Sequence, residues 1–393
     1  MKIKINENYK NLKESYLFSE IAKKVKTYSK ANPDQKVIRL GIGDVTLPLP
    51  KSAIDAMQKA VSEMGEKATF RGYAPEYGYD FIRNAIAKRY KNFKVELSGE
   101  EVFVSDGAKT DVGNIVDILG DNKILIPNPV YPVYLDSNIM SGRRIEFLEA
   151  NKENQFLPMP PKAKEKGLII YLCSPNNPTG AVYNYKQLGE WVAYALETGS
   201  LIIFDAAYES FIKGAFPHSI YEIDGAKECA IEICSFSKMA GFTGTRCAWM
   251  VVPSAIESKG VYLNKLWARR QATKFNGVPY IIQRGAEAVL TEAGQQECNT
   301  LIKYYMENAK LLADLLKKKG IYFTGGISSP YIWLKCPSGM TSWEFFDYLL
   351  ENAQIVGTPG AGFGTAGEGY FRLTSFGDRE STIEAVDRLD KLL

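Results

Sequence analysis

Between residues 100 and 252 the chain repeats one pattern, in which a short apolar run gives way to a stretch of helical spacing and another run follows. The runs are EVFVS, KILIP, RRIEFL, GLIIYLC, SLIIFD, AIEICSF and CAWMVV. Each has the length of a buried strand and is rich in β-branched or aromatic residues. Between two of them, 185-YKQLGEWVAYALETG-199 sets Leu188, Val192 and Leu196 at helical spacing and closes on Gly199, as a helix C-terminus does. Such alternation specifies an α/β domain around a mostly parallel sheet. Ligands of such sheets bind beyond the C-terminal ends of the strands.

The flanks read differently. Residues 1–45 form an arm with one amphipathic helix, and 254–273 reads as a long helix leading out of the sheet domain. Beyond 290, helices are expected around 300–318 and 342–352, strands around 321–335 and 370–374, and a last helix from 380. The expected division is 1–45 as arm and part of a small domain, 46–289 as a large domain, and 290–393 as a smaller α+β domain. With 46% hydrophobic residues the chain has ample core material. Its net charge of +3, from 48 basic and 45 acidic residues, gives no footprint for nucleic acid or an anionic membrane. No apolar run approaches the roughly 18 residues of a membrane span. The N-terminus MKIKINENYKNLKES lacks the apolar core of a signal peptide. Six cysteines without a CxxC pair suit reduced thiols in a cytoplasmic protein. The single histidine, His218, follows Pro217 in a loop. One histidine excludes a multi-histidine metal site, and no metal is expected.

The stretch IEICSFSKMAGFTGTR carries the chemistry. Lysines after serines are common and usually exposed, but Lys238 follows directly on a strand, where ligands of α/β sheets bind. A buried amine is less readily protonated and becomes nucleophilic toward an aldehyde. Ser235, Ser237 and Arg246 supply two hydroxyls and a guanidinium fork, which are phosphate-binding types. Gly241 and Gly244 permit tight turns beside a ligand. Lysine with phosphate donors suggests a phosphorylated aldehyde, pyridoxal phosphate. That cofactor needs an acidic partner for its ring nitrogen. Asp205 ends the run SLIIFD with Tyr208 nearby, although an aspartate there also suits a helix cap. The phenolic oxygen needs donors, and SPNNPTG (174–180) offers Asn177 in a rigid turn. SDGAKTD (105–111) ends a strand and opens a helix, so the backbone N–H groups of Ala108 and Lys109 can face an anion.

In these motifs the chain resembles the fold-type I, class I/II pyridoxal-phosphate aminotransferases. SPNNPTG, DAAYE and SFSKMAGFTGTR occur in that family's order, and the resemblance spans nearly the whole chain. It implies an α/β fold, with a mostly parallel seven-stranded sheet in the large domain and a smaller α+β domain. FRGYAPEYGY (70–79), SDGAK, NPVYPVY (128–134), TKFNGVPY (273–280) and VGTPGAGFGTAGEGYFRLTSFG (356–377) are similar to the LL-diaminopimelate aminotransferase branch. KESYLFSEI and RLGIGDVTLPLP match that pattern as well. Ala74, Tyr77, Met239 and Thr245 depart from it, and the segment 253–273 is shorter. The branch exchanges an amino group between glutamate and L-tetrahydrodipicolinate, giving LL-diaminopimelate and 2-oxoglutarate, for lysine or cell-wall precursor synthesis.

The resemblance implies a role for each matching residue. Lys238 forms the Schiff base and moves the proton, Asp205 pairs with the ring nitrogen, and Asn177 and Tyr208 bond the phenolic oxygen. Tyr131 stacks on the ring, while Ala108, Lys109, Ser235, Ser237 and Arg246 hold the phosphate. Tyr73 reaches the cofactor of a neighbouring subunit, which implies a homodimer with sites at the interface. Arg372 takes the substrate α-carboxylate. Tyr16, Gly43, Lys109 and Asn276 contact the rest of the substrate, with Tyr131 and Asn177 beside it and Asn276 close to the cofactor as well. Rival readings are an aminotransferase for aromatic or dicarboxylic amino acids, a carbon–sulfur β-lyase, and a non-catalytic regulator. The last usually carries an added DNA-binding segment, for which no room is expected here. Two patterns are read as decoys. Gly362-Phe-Gly364-Thr-Ala-Gly367 satisfies GxGxxG but precedes an apparent strand, where a dinucleotide site needs a helix. The pairs Arg143-Arg144 and Arg269-Arg270 read as solvated faces.

Overall fold

The computed structural model describes residues 3–12, 17–41 and 43–393. All seven apolar runs are strands: β1 Val102–Ser105, β2 Ile124–Asn128, β3 Ile145–Glu149, β4 Ile169–Cys173, β5 Leu201–Asp205, β6 Ala230–Ser235 and β7 Ala248–Val251. They form one sheet in the order β1-β7-β6-β5-β4-β2-β3. β7 is antiparallel to both its neighbours, and the other pairings are parallel. The fold is thus α/β with a mostly parallel seven-stranded sheet. β1, β2, β4, β5, β6 and β7 are buried along their whole length, with apolar clusters on both faces. This explains why they read as near-continuous apolar runs and not as alternating ones. β3 closes one edge, and there Phe147 is exposed.

The helix Tyr185–Thr198 forms as its spacing predicts. Asn184 and Gln187 make a reciprocal capping box at its start, and Gly199 ends it at φ 61°. Its buried stripe is Leu188, Trp191, Val192 and Ala195, whereas Leu196 is 42% exposed. Leu188 and Val192 lie in the stripe, and Leu196 lies at its edge. The segment 254–273 is not one helix. Glu257–Ser258 and Val261–Tyr262 pair as a small hairpin, turning through Lys259 and Gly260 at φ 52° and 80°. Left-handed backbone at both positions is incompatible with helix continuation. The helix runs from Leu263 to Lys274.

The C-terminal part builds an antiparallel sheet from β8 Phe323–Gly325, β9 Tyr331–Lys335, β10 Thr358–Pro359 and β11 Tyr370–Thr374, in the order β8-β9-β11-β10. Helices Glu292–Lys318, Ser342–Ala353 and Arg379–Leu392 accompany it. The N-terminal arm joins this unit. Its helix Leu17–Ala31 leads to Ile38–Arg39, which pairs in parallel with Ile355–Val356. Val25, Ile38 and Leu40 share a core with Leu312, Phe346, Ile355 and Leu373. The GxGxxG stretch is two short 3-10 turns, Gly360–Phe363 and Thr365–Gly367, followed by β11. No helix follows those glycines, so they do not build a dinucleotide site.

Candidate active site

The C-terminal ends of the parallel strands meet the arm and the small sheet around a cavity of about 280 Å³. Ala108, Lys109, Asn177, Asp205, Tyr208, Ser235, Ser237 and Lys238, each predicted from sequence, line it after β1, β4, β5 and β6. Gly43, Tyr131 and Arg246 line it as well. A second cavity of about 430 Å³ shares Gly43, Tyr131, Asn177, Tyr208 and Lys238 and adds Arg372. Tyr73 and Asn276 border neither cavity. They lie together on the surface: Gly277 packs against Ala74 and Pro75, and Tyr73 is 89% exposed. Tyr16 lies outside the described residues.

Lys238 sits in the short helix Phe236–Met239 directly after β6, and its Nζ donates to the carbonyl of Gly43. Burial lowers its pKa from 10.5 to about 8. Asp44 opposes the shift, while Arg372 and Arg246 add to it. Across the cavity the Asp205 carboxylate accepts from the Tyr134 hydroxyl at 2.5 Å and from the backbone N–H of Ala207 at 3.0 Å. Burial raises the carboxyl above its ordinary value, and these two donors offset only part of that rise. A cation facing Asp205 would favour its charged form further.

Arg246 and Gly107 form the other end. Arg246 adopts left-handed backbone at φ 63°, with its N–H bonded to Phe242 O at 3.1 Å. Its Nη1 lies 3.4 Å from Ser237 Oγ and 3.3 Å from the Thr243 carbonyl. Gly107, at φ 143°, has no room for a side chain, because a Cβ there would stand 2.1 Å from Arg246 Nη2. Ser235 Oγ accepts from the backbone N–H of Ser237 at 3.0 Å. Asp106 Oδ1 and Thr245 Oγ1, next in sequence to Gly107 and Arg246, are buried without a hydrogen-bond partner among the described residues. Guanidinium, hydroxyls and a helix start fit a phosphate group, and of the two unpartnered atoms only the Thr245 hydroxyl can donate to one.

Arg372, on β11, is almost fully buried. Its Nη1 donates to Asn177 Oδ1 at 2.6 Å, and its Nη2 donates to Gly41 O at 2.9 Å and Thr358 Oγ1 at 3.4 Å. Its guanidinium carbon lies 4.5 Å from the centre of the Tyr331 ring. A buried, oriented guanidinium next to Lys238 suits a carboxylate.

Sequence reasoning missed Tyr134 and Tyr331. Tyr134 lies three residues after Tyr131 at the start of the helix Pro132–Met140, so its spacing within NPVYPVY was an available signal. No local signal marks Tyr331, whose site partner Tyr208 is 123 residues away. His218 stands outside both cavities. It stacks on Phe93 and lies 3.3 Å from Glu209 Oε2. Glu209 also pairs with Arg89 at 2.5 Å; burial opposes its ionisation, but the Arg89 charge and His218 hold its pKa low. This network anchors the turn that carries Tyr208. Two of the expected surface arginines are structural. Arg143 donates to the carbonyls of Val116, Leu119 and Gly120 that end a 3-10 turn, and Arg270 bonds Asp117 at 3.0 Å. Both cap backbone or carboxylate that a solvated face would leave to water. All six cysteines are buried and free, and no helix among the described residues is long and apolar enough to cross a membrane.

With Lys238 and Asp205 at the strand ends of the large sheet and Arg372 facing them from the small one, the arrangement is that of an aminotransferase working with pyridoxal 5′-phosphate. The family model for aminotransferase class I and II matches residues 35–389, and the chain belongs to that family. It is 54% identical to the LL-diaminopimelate aminotransferase of Lachnospira eligens, across 99% of this chain and all of that one. It is 52% identical to the LL-diaminopimelate aminotransferase of Methanosphaera stadtmanae, with both chains fully covered. The solved L,L-diaminopimelate aminotransferase of Chlamydomonas reinhardtii superposes with a TM-score of 0.94 at 42% identity, covering 100% of this chain and 99% of that one.

Proposed function

We propose that the chain interconverts LL-diaminopimelate plus 2-oxoglutarate with L-tetrahydrodipicolinate plus glutamate, in two half-reactions that use the site in turn. The observation that carries the chemistry is Lys238: a buried amine with pKa about 8, sharing a cavity with Arg372 and facing Asp205. The full-length likeness to enzymes named for LL-diaminopimelate supports the substrate.

When bound, pyridoxal phosphate supplies an aldehyde that takes up amino groups and a ring that accepts the electron pair freed at the substrate α-carbon. The chain's own residues do the rest. Arg246, Ser235, Ser237 and the N–H groups of Ala108 and Lys109 hold the phosphate. Asp205, oriented by Tyr134 and Ala207, holds the proton at the ring nitrogen. Asn177 and Tyr208 donate to the phenolic oxygen, and Tyr131 covers the ring face. Arg372 grips the α-carboxylate and so presents the α-hydrogen to Lys238, which removes it as a neutral amine. Gly43 and Lys109 line the path of the remaining substrate, and Asn276 of a second copy would complete it.

The reading includes a homodimer. Tyr73 is 89% exposed, and its neighbours Ala74 and Pro75 pack against Gly277, next to Asn276. On a lone chain these residues serve no cavity; on a dimer they complete the partner's. The buried free thiols are consistent with a reducing, cytoplasmic setting.

The test offers purified enzyme 2-oxoglutarate with LL-diaminopimelate, aspartate, tyrosine or cystathionine in turn. Glutamate should form fastest from LL-diaminopimelate, and none from it would defeat the reading. The dimer has its own test. Tyr73→Ala and Lys238→Ala proteins should each be nearly inactive, and mixing them after mild dissociation should restore activity through hybrids with one intact site. No recovery, with hybrids shown to form, would refute a shared site.

A further inference from the structure

Tyr331 begins β9, an interior strand of the small sheet, yet both its hydroxyl and its ring are used inside the site. Its hydroxyl lies 2.5 Å from the hydroxyl of Tyr208. Its ring supports the Arg372 guanidinium, with 4.5 Å from the guanidinium carbon to the ring centre. Its oxygen also fills the space in front of Gly43, where a Cβ would stand only 2.9 Å from it. Gly43 in turn accepts a hydrogen bond from Lys238. The residue is 1% exposed. We propose that Tyr331 is a positioning residue that sets the donor strength of Tyr208 and the aim of Arg372 together, tying the cofactor side of the site to its carboxylate side. This rests on the functional reading above.

The direction of the hydrogen bond follows from counting protons. A hydroxyl carries one. If Tyr208 donates to the cofactor's phenolic oxygen, its own oxygen must accept from Tyr331. A phenol that accepts a hydrogen bond becomes a stronger donor, because the chain of bonds polarises. Tyr331 thus draws negative charge from the phenolic oxygen through Tyr208. Its ring does a second job, since a guanidinium over an aromatic face is held electrostatically and kept planar to it. Gly43 is explained by the same residue: any side chain there would displace the Tyr331 hydroxyl from Tyr208.

Tyr331→Phe removes the hydroxyl and keeps the ring, whereas Tyr331→Leu removes both. The first readout needs no turnover. The absorbance of the bound cofactor is titrated with pH in wild type, Tyr331→Phe, Tyr208→Phe and the double variant. Tyr331→Phe should raise the midpoint by about half a unit, because charge left on the phenolic oxygen helps the nitrogen beside it keep its proton. Tyr208→Phe should raise it more, and the double variant no further than Tyr208→Phe alone. The second readout is the KM for glutamate: within about twofold of wild type in Tyr331→Phe, and about fivefold higher in Tyr331→Leu. An unchanged midpoint in cofactor-loaded Tyr331→Phe would overturn the proposal, as would full additivity in the double variant. The titration stands apart from substrate identity. Failure to turn over LL-diaminopimelate would refute the reaction and leave the Tyr331 assignment intact.

Discussion

The state of the Lys238 amine can be read directly from the pH at which the protein captures its cofactor. Only a neutral amine attacks an aldehyde. At pH 7 a lysine with the ordinary value of 10.5 is neutral in about one molecule in 3,000, whereas one at about 8 is neutral in roughly one in eleven. Burial beside two guanidinium groups thus raises the reactive population about 300-fold. The assay is the initial rate of reconstitution of cofactor-free protein with pyridoxal phosphate, followed by absorbance from pH 7 to 10. That range lies above the second ionisation of a phosphate, near pH 6. The rate should climb about fivefold from pH 7 to 8, reach half its limit near pH 8 and level off by about pH 9. Asp44 is the one charge that opposes the shift, and it is exposed. Asp44→Asn should therefore move the midpoint down by only a few tenths of a unit, an effect that fades at high salt. A rate still climbing at pH 10 would show that the amine is not buried as described. A midpoint that rises in Asp44→Asn would contradict the sign of the argument.

Three further outcomes follow from contacts in and behind the site. Tyr134→Phe strips Asp205 of its 2.5 Å donor and leaves only Ala207; at about 1.5 kcal/mol for a bond to a charged acceptor, kcat should fall about tenfold with KM nearly unchanged, and an unaltered kcat would remove Tyr134 from the machinery. Gly107→Ala drives a Cβ into Arg246 Nη2 and strains a φ of 143°, so cofactor affinity should drop at least about tenfold in equilibrium dialysis while far-ultraviolet dichroism stays unchanged. Glu232 is fully buried among Tyr90, Ser219 and Ile220, and burial raises its carboxyl from 4.5 to about 7. Its raised folded value means that stability is lost as pH climbs from about 4.5 to 7, by about 3 kcal/mol. Urea midpoints at pH 5 and 8 should show that loss in wild type and not in Glu232→Gln; the same change of midpoint in both proteins would refute it.

The strands could be read in the sequence because they are buried on both faces, where composition alone reveals them. Lys238, Asp205 and Asn177 could be read because each follows such a strand. The hairpin at 257–262 could not, since its turn depends on left-handed backbone at Lys259 as well as at Gly260, and lysine carries no such signal. Arg143 reads as solvent-facing from its charge, yet its partners are carbonyls that only the folded 3-10 turn exposes. Tyr331 is the clearest limit. Its contact with Tyr208 exists because β9 of one sheet lies against the turn after β5 of the other, a tertiary fact that neither segment encodes alone.

The order of the strands also explains why a single antiparallel strand belongs in this sheet. β4, β5 and β6 are neighbours in parallel register, with Cys173 opposite Asp205 and Asp205 opposite Ile233. Asn177, Asp205 and Lys238 are therefore delivered side by side, Asp205 as the last residue of its strand and the other two just beyond theirs. A cradle for phosphate needs a cation at that same edge, next to β1. A parallel strand would deliver its entry residues at the opposite edge of the sheet. β7 runs the other way, and Ala248 at its start pairs with both Ser105 and Ser235. Arg246 thus arrives at the strand ends before β7 begins, between Gly107 on one side and Ser237 on the other. Reversing one strand puts the arginine and the lysine of one continuous segment, SKMAGFTGTR, on the same ligand.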